Sequence, residues 1–437
     1  MSMVVKNNMS AISTLNTLNK NSSALSKSLE KVSSGMKINS AADDASGYAI
    51  SERMRVQIRS LDQANSNTQN GSSMMKVAEG TVSSTVDILK TLKEKVINAA
   101  NDSNTDADRQ TIQKELDQSI DQIDDNANVT FNGKFLVDGS KNTVGSATFT
   151  ELTNQNLSTD TTTDTALTAL KSRSGDKLNI SSTDKVTVSF TQGGKTYSST
   201  ISVTNTTNLS DLLASANAVG ANGLSATMTA TSVIGTSAAN STVFTADGKN
   251  ALTVTAAASG VDGQIAGFSI SVTDQNGNVK KSANASLDAF NESVRAQNAS
   301  TDNAITLQVG TKANQSIKVG LTDMRSQALG LKGSDGTKLN ISTQVKANAA
   351  INVLDNAVQK ALDQQTTIGS VESRLDYTSS NLTTASQNVQ SSESTIRDAD
   401  MAKEMTEYTK NNVLLQAAQS MLSQANQNSS SVLSLLK

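Results

Sequence analysis

The stretch LNTLNKNSSALSKSLEKVSSGM, residues 15–36, decides the fold. Its apolar side chains recur every three or four residues, with Ser22 in the one polar slot; they are Leu15, Leu18, Leu25, Leu29, Val32 and Met36. This heptad spacing predicts an amphipathic helix whose apolar stripe needs a partner. Gly35 favours a left-handed helix end, and Asn39 or Ser40 is the expected cap of the next helix. We therefore predict a joint over residues 33–45.

The other end of the chain carries a second stripe of the same kind. It is interrupted only at Asn428 and consists of Leu414, Ala418, Met421, Ala425, Val432 and Leu435. Burying one such stripe contributes less free energy than ordering roughly thirty residues costs. We therefore expect the two ends to pair with each other and with neighbouring copies, and to become ordered on assembly.

Composition excludes most other kinds of protein. The 437 residues include no Cys, no His and no Pro, and only 3% are aromatic. Thiol and imidazole chemistry and the common metal ligands are absent, so we predict a structural protein that is not an enzyme and has no cofactor. The net charge of −3 gives no footprint for nucleic acid. No apolar run is long enough to span a membrane, and the N-terminus lacks the apolar core of a secretory signal.

The pattern between the two ends predicts long helices around a central insert. Apolar residues recur at strict seven-residue spacing in the C-terminal half, at Leu354, Ala361, Ile368, Leu375, Leu382, Val389 and Ile396. Residues 131–135, FNGKF, predict a hairpin with an Asn-Gly turn. Alternating segments such as 186–190 predict strands. The expected fold is multidomain and mainly α, with long coiled-coil-like helices from both termini, a β-hairpin and a central α+β insert.

We expect five segments along the chain. Residues 1–43 and 394–437 form the two terminal-helix domains. Residues 44–172, which include the hairpin, and residues 301–393 form the two parts of a helical rod domain. Residues 173–300 form the insert.

Several quoted stretches resemble one family. Residues 29–35 (LEKVSSG), 38–47 (INSAADDASG), 396–404 (IRDADMAKE) and 432–437 (VLSLLK) are similar to the pattern of bacterial flagellin. The resemblance covers about residues 1–140 and 305–437. It implies a subunit that polymerises into the flagellar filament for motility, with the terminal helices in the innermost layer. It also implies that the insert is variable and exposed on the surface.

The resemblance implies partners and a location as well. The partners are other copies of the chain, the filament cap, hook-associated proteins and an export chaperone that holds the C-terminal segment. The location is the extracellular filament, reached in an unfolded form through flagellar type III export, for which a chain without Cys or Pro is suited.

Some flagellins are sensed by an innate immune receptor through two helices. The first typically reads Leu-Gln-Arg-Val-Arg-Glu-Leu, and here residues 89–95 read LKTLKEK. The resemblance thus places Leu89, Thr91 and Glu94 in the first receptor segment and Glu115 in the second. Because Thr91 stands where the family has Arg, weak activation is implied.

Two alternatives stay open at this point. A hook-associated junction protein shares similar terminal helices but commonly lacks the Phe-Asn-Gly hairpin. A secreted, membrane-active translocator would use amphipathic ends on lipid, yet the two stripes lack the Trp, Phe and basic face typical of a membrane interface.

Overall fold

Seven α-helices make up about half of the residues that the computed structural model describes, which are 8–219 and 227–435. They are α1 (Met9–Ser34), α2 (Ala45–Ala99), α3 (Asp106–Ala127), α4 (Leu209–Val219), α5 (Lys281–Leu287), α6 (Gln344–Arg397) and α7 (Met401–Leu435). The helices α2 and α6 run for 55 and 54 residues. The predicted fold class, mainly helical with a central region of strands, is confirmed.

Strands occupy the middle of the chain. In chain order they are β1 (Thr130–Phe131), β2 (Lys134–Phe135), β3 (Glu151–Asn154), β4 (Lys185–Gln192), β5 (Lys195–Ser202), β6 (Thr227–Thr231), β7 (Val233–Thr236), β8 (Thr242–Phe244), β9 (Ala251–Thr255), β10 (Ile265–Thr273), β11 (Phe290–Val294), β12 (Ile305–Gln308) and β13 (Ser316–Val319). Two larger sheets have the orders β10-β4-β5 and β11-β3-β9-β6, and three hairpins pair β1 with β2, β7 with β8 and β12 with β13.

The chain divides into two compact units. The terminal unit comprises Met1–Thr68, Gln308–Gln315 and Tyr377–Lys437, and the central unit comprises Gln69–Leu307 and Ser316–Asp376. The terminal unit holds α1, α7 and one end of each long helix. The central unit holds α3, the two larger sheets and the remaining parts of α2 and α6.

The first joint forms where the sequence predicts it, but with a different cap. Helix α1 ends at Gly35, which adopts the left-handed conformation at φ 71°. Helix α2 begins at Ala45, because the Asp44 carboxylate accepts hydrogen bonds from the amides of Ser46 and Gly47, both at 3.0 Å. The prediction that Asn39 or Ser40 caps this helix is therefore wrong.

The long helices of the central unit are buried along one face. Leu354, Ala361, Ile368 and Leu375 are fully buried, as their seven-residue spacing predicts. Leu382, Val389 and Ile396 continue the series in the terminal unit and are half-buried. Helix α3 contributes Leu116, Ile120 and Ile123 to the core of the central unit.

The predicted hairpin after α3 is present. Phe131 pairs with Lys134, and the two turn residues, Asn132 and Gly133, have φ values of 50° and 72°. Positive φ at both positions is the conformation that an Asn-Gly turn provides in a tight hairpin.

The two larger sheets share one apolar core with α4 and α5. Phe190 and Val188 of β4, Leu152 of β3 and Val254 of β9 lie in it. Strand β3 pairs with β9 and β11 although it precedes residue 173, where we expected the insert to begin. All four β3 residues are buried, so this strand lacks the alternation by which a half-buried strand is found. The predicted domain boundaries themselves stay a prediction.

Two glycines of the central unit give opposite stability predictions. Gly80 lies within α2 with nothing inside 4 Å of an added Cβ, so Gly80→Ala should stabilise by about 0.5–1 kcal/mol. Gly194 has φ +74°, and an added Cβ would stand 2.2 Å from the carbonyl oxygen of Thr337. Gly194→Ala should therefore destabilise by about 1 kcal/mol or more. Thermal unfolding followed by circular dichroism measures both, and equal midpoints for the two variants would contradict this packing.

Candidate assembly surface on the terminal helices

Helices α1 and α7 form an antiparallel pair in the terminal unit. Near one end, the Asn8 side-chain amide donates to the backbone carbonyl of Ala425 at 3.2 Å. Towards the other end, the Asn411 amide donates to the Ser28 hydroxyl at 2.9 Å. Side-chain amides bonded across the pair fix its register, because each would lose its partner if one helix slid along the other.

The contact between these helices, which we call the seam, consists largely of small and polar side chains. On α1 it contains Ala11, Thr14, Leu18, Asn21, Leu25, Ser28 and Val32, and on α7 it contains Glu404, Tyr408, Asn411, Leu415, Ala418, Leu422, Ala425 and Ser429. Only Ser28 and Ala418 are as little as 7% exposed, and the others are half-buried. The seam thus removes little apolar area from water.

The six residues predicted on the N-terminal stripe separate into two groups. Leu18, Leu25 and Val32 lie in the seam. Leu15 and Leu29 point away from it and are 45% and 51% exposed. Met36 lies beyond the end of α1, half-buried, where it forms an isolated bridge with Asp398.

The C-terminal stripe separates in the same way. Ala418 and Ala425 lie in the seam. Leu414 and Met421 are 42% and 62% exposed. The side chains of Val432 and Leu435 lie outside the described part of the chain. Each predicted stripe therefore mixes seam positions with positions beside the seam, and its role in assembly stays a prediction.

Large apolar side chains form part of the surface that the pair leaves uncovered, and we call this part the outer surface. This outer surface consists of Met9, Ile12, Leu15, Leu29, Met401, Met405, Val413, Leu414 and Met421, each between 42% and 69% exposed. Sequence periodicity missed five of them, namely Met9, Ile12, Met401, Met405 and Val413, because they lie off the stripes. One signal in the sequence could have found them, because α1 and α7 carry more large apolar residues than one face of a helix can bury. A dense set of exposed apolar side chains marks an interaction surface.

A short antiparallel crossing connects the joint between α1 and α2 with the joint between α6 and α7. The Lys37 amide donates to the Arg397 carbonyl at 2.6 Å, and the Ala399 amide donates to the Gly35 carbonyl at 3.0 Å. Ile38, which follows this crossing, is 3% exposed. An added Cβ on Gly47 would lie 2.8 Å from the Cδ1 atom of Ile38. The crossing therefore packs closely on the first turn of α2.

Arg397 at the end of α6 contacts the first two turns of α2 through its side chain. Its side chain is 6% exposed and donates to the Glu52 carboxylate at 2.6 Å and to the Ser51 hydroxyl at 3.3 Å. Its guanidinium lies 5.3 Å from the ring centre of Tyr48. The hydrogen bond from Arg397 lowers the pKa of the Glu52 carboxyl below its usual value.

The residues expected to meet an immune receptor lie in the central unit. Leu89 is fully buried, while Thr91 and Glu94 are exposed on α2. Glu115 is exposed on α3 and pairs with Lys95 at 3.0 Å. The structure thus presents three of these four side chains at a surface.

The described residues offer neither a membrane span nor a cluster of metal ligands. None of the helices in residues 8–219 and 227–435 is long and apolar enough to cross a bilayer. The same residues contain no group of three or more acidic side chains placed to hold a metal ion.

Comparison with known proteins gives consistent matches. The family model of the bacterial flagellin N-terminal helical region matches residues 5–142, and that of the C-terminal helical region matches residues 351–436. A flagellin of Clostridium tyrobutyricum is 34% identical over 97% of this chain and 99% of its own length. A flagellin of Bacillus subtilis is 30% identical over the full length of both. The crystal structure of hook-associated protein 3 from Legionella pneumophila covers 78% of this chain and 97% of its own, at 15% identity and a TM-score of 0.33.

Acid should weaken the joint through Glu52. Because its pKa is lower in the folded chain, ionised Glu52 stabilises the joint above its usual pKa, and this stabilisation is lost as the pH falls through the folded value. The protection factors of residues 36–52, which compare measured amide exchange with the intrinsic rate at each pH, should therefore fall as the pH drops below about 4.5, and Glu52→Gln should reduce that fall.

Glu407 provides the matched control. It pairs with Lys410 on the exposed side of α7 at 3.7 Å, away from the joint, so Glu407→Gln should leave the exchange profile unchanged. An identical pH profile for wild type and Glu52→Gln would contradict the role of this ion pair.

Proposed function

Since this chain belongs to the bacterial flagellin family, we propose that it polymerises through the outer surface of α1 and α7 as the structural subunit of a flagellar filament used in motility. The family is one of structural proteins. The observation that carries the assembly role is the contrast between a seam whose side chains are mostly only half-buried and nine large apolar side chains left exposed outside it. Neighbouring copies supply the burial that the pair lacks, and the terminal helices become ordered as they acquire it.

Finer features of the proposal rest on the family. The filament is extracellular, and the subunit reaches it unfolded by flagellar type III export, after a chaperone has held the C-terminal segment. The absence of Cys and Pro supports this route, because neither disulfides nor slow prolyl isomerisation delays refolding. At the filament ends the same terminal helices meet the cap and the hook-associated proteins.

We further propose that an innate immune receptor recognises this chain only weakly. Thr91 is exposed, so the position where the family carries Arg is accessible but offers only a hydroxyl. Glu115 already pairs with Lys95 within the chain. Both features weaken an interaction that depends on charge.

The hook-associated alternative is not favoured. Two relatives that match this chain over almost its whole length, at 34% and 30% identity, are both named flagellin. No contact or charge pattern in the described residues favours a membrane-active translocator.

Substitutions of two leucines of α1 distinguish polymerisation through the outer surface from pairing of α1 with α7 through the seam. Leu29 lies on the outer surface, so Leu29→Ala should leave the helix content of the isolated subunit unchanged. It should raise the critical concentration for polymerisation about tenfold or more, because a buried Leu contributes about 1.5–3 kcal/mol. Leu25 lies in the seam, so Leu25→Ala should already weaken the pair in the subunit.

Circular dichroism of subunits and sedimentation of seeded filaments measure the two effects. The variants carry the same chemical change four residues apart on one helix, and each controls for the other. Polymerisation of Leu29→Ala at the wild-type critical concentration would refute the proposed surface.

A further inference from the structure

Methionine is distributed unevenly between the two units. Among the described residues, the four methionines that are more than 40% exposed are Met9, Met401, Met405 and Met421, and all four lie on α1 or α7. The four methionines of the central unit are between 0% and 8% exposed; they are Met74, Met75, Met228 and Met324. Met36 and Met54 of the terminal unit are half-buried. Exposed thioethers are thus concentrated on the outer surface.

A thioether is the reactive group of this surface. A peroxide transfers one oxygen to the sulfur, which donates an electron pair as the O–O bond breaks, so hydrogen peroxide leaves as water and methionine becomes methionine sulfoxide. The remaining outer-surface residues, such as Leu15 and Val413, have no group that a peroxide oxidises. The rate at each methionine follows its exposure, so the buried thioethers of the central unit are protected.

Oxidation changes the property on which assembly depends. The sulfoxide is polar and accepts hydrogen bonds, so its burial between subunits costs free energy where burial of the thioether contributes it. Met9 begins α1, Met401 begins α7, Met405 follows one turn later, and Met421 lies in the C-terminal half of α7. The four sites are thus spread over both helices and not confined to one contact.

Resting on the proposed function, we propose that Met9, Met401, Met405 and Met421 are peroxide-oxidation sites that make polymerisation of the free subunit redox-sensitive. Polymerisation in turn protects them, because the surface that carries them becomes buried. Methionine sulfoxide reductases supplied with a dithiol reduce the sulfoxide, so that the oxygen leaves as water and the dithiol becomes a disulfide, and thereby restore the capacity of free subunits to assemble.

The experiment treats subunits with hydrogen peroxide, removes the peroxide with catalase and measures seeded polymerisation. Peptide mass spectrometry should find sulfoxide at the four exposed methionines and little at Met74, Met75, Met228 and Met324. The critical concentration should rise about tenfold or more, and methionine sulfoxide reductases should return it to its starting value. Preformed filaments given the same treatment should retain unoxidised methionine at the four sites.

Leucine variants assign the effect to these residues, because Leu replaces Met with little change in volume or packing. The variant M9L/M401L/M405L/M421L should polymerise equally well with and without peroxide. The matched control M228L/M324L, altered in the central core, should stay as sensitive as wild type.

Three results would overturn the proposal. They are equal oxidation of buried and exposed methionines, unchanged polymerisation of oxidised wild type, and full sensitivity of the quadruple variant. If untreated wild type does not polymerise, the proposed function fails instead, and the peptide masses still decide whether the four sites are the ones oxidised.

Discussion

The seam between α1 and α7 is the contact on which the rest of the terminal unit depends. Polar bonds, such as those from Asn8 and Asn411, help to fix its register alongside half-buried leucines. Asn side chains in a helix–helix contact specify alignment at a cost in stability. The pair is therefore well defined in geometry and weakly held, and its large apolar side chains remain available to other molecules. A subunit built in this way stays soluble alone and gains most of its stability from its neighbours.

The joints fix where the weakly held pair is attached to the long helices. Arg397 is hydrogen-bonded to Glu52 and lies against Tyr48. The end of α6 is therefore held to the start of α2, close to where α1 ends and α7 begins. The Arg397 side chain is nearly buried, while Glu52 is 42% exposed, so the ion pair holds a defined geometry at the edge of the joint but contributes little to stability. The joint thereby fixes where the terminal helices leave the long ones, although the helices themselves are held loosely. The points where α1 and α7 join the long helices are thus defined before neighbouring copies order the two terminal helices.

Sequence pattern found the features that depend on large side chains or on backbone conformation. The seven-residue series from Leu354 to Leu375 is buried as expected, and Asn132-Gly133 forms its turn. The pattern failed where small or polar residues determine which side chains face the partner helix. Ser28 and Asn411 lie in the seam, while Leu29 and Leu414 lie outside it, because the helices face each other along polar bonds that a hydrophobic periodicity does not register. Strand β3 was missed because it is buried on both faces and shows no alternation. The cap at Asp44 is local, but Asn39, Ser40 and Asp44 are all residue types that cap helices, so the sequence did not select among them.

Hydrogen exchange of the isolated subunit and of the filament tests the central claim most directly. Weak seam contacts predict fast exchange across α1 and α7 in the subunit, while α3 and the part of α6 in the central unit, with their buried leucines and isoleucines, exchange slowly. In the filament, α1 and α7 should become as protected as α3. Strong protection of both terminal helices in the isolated subunit would show that the pair is stable without neighbours and would contradict the account.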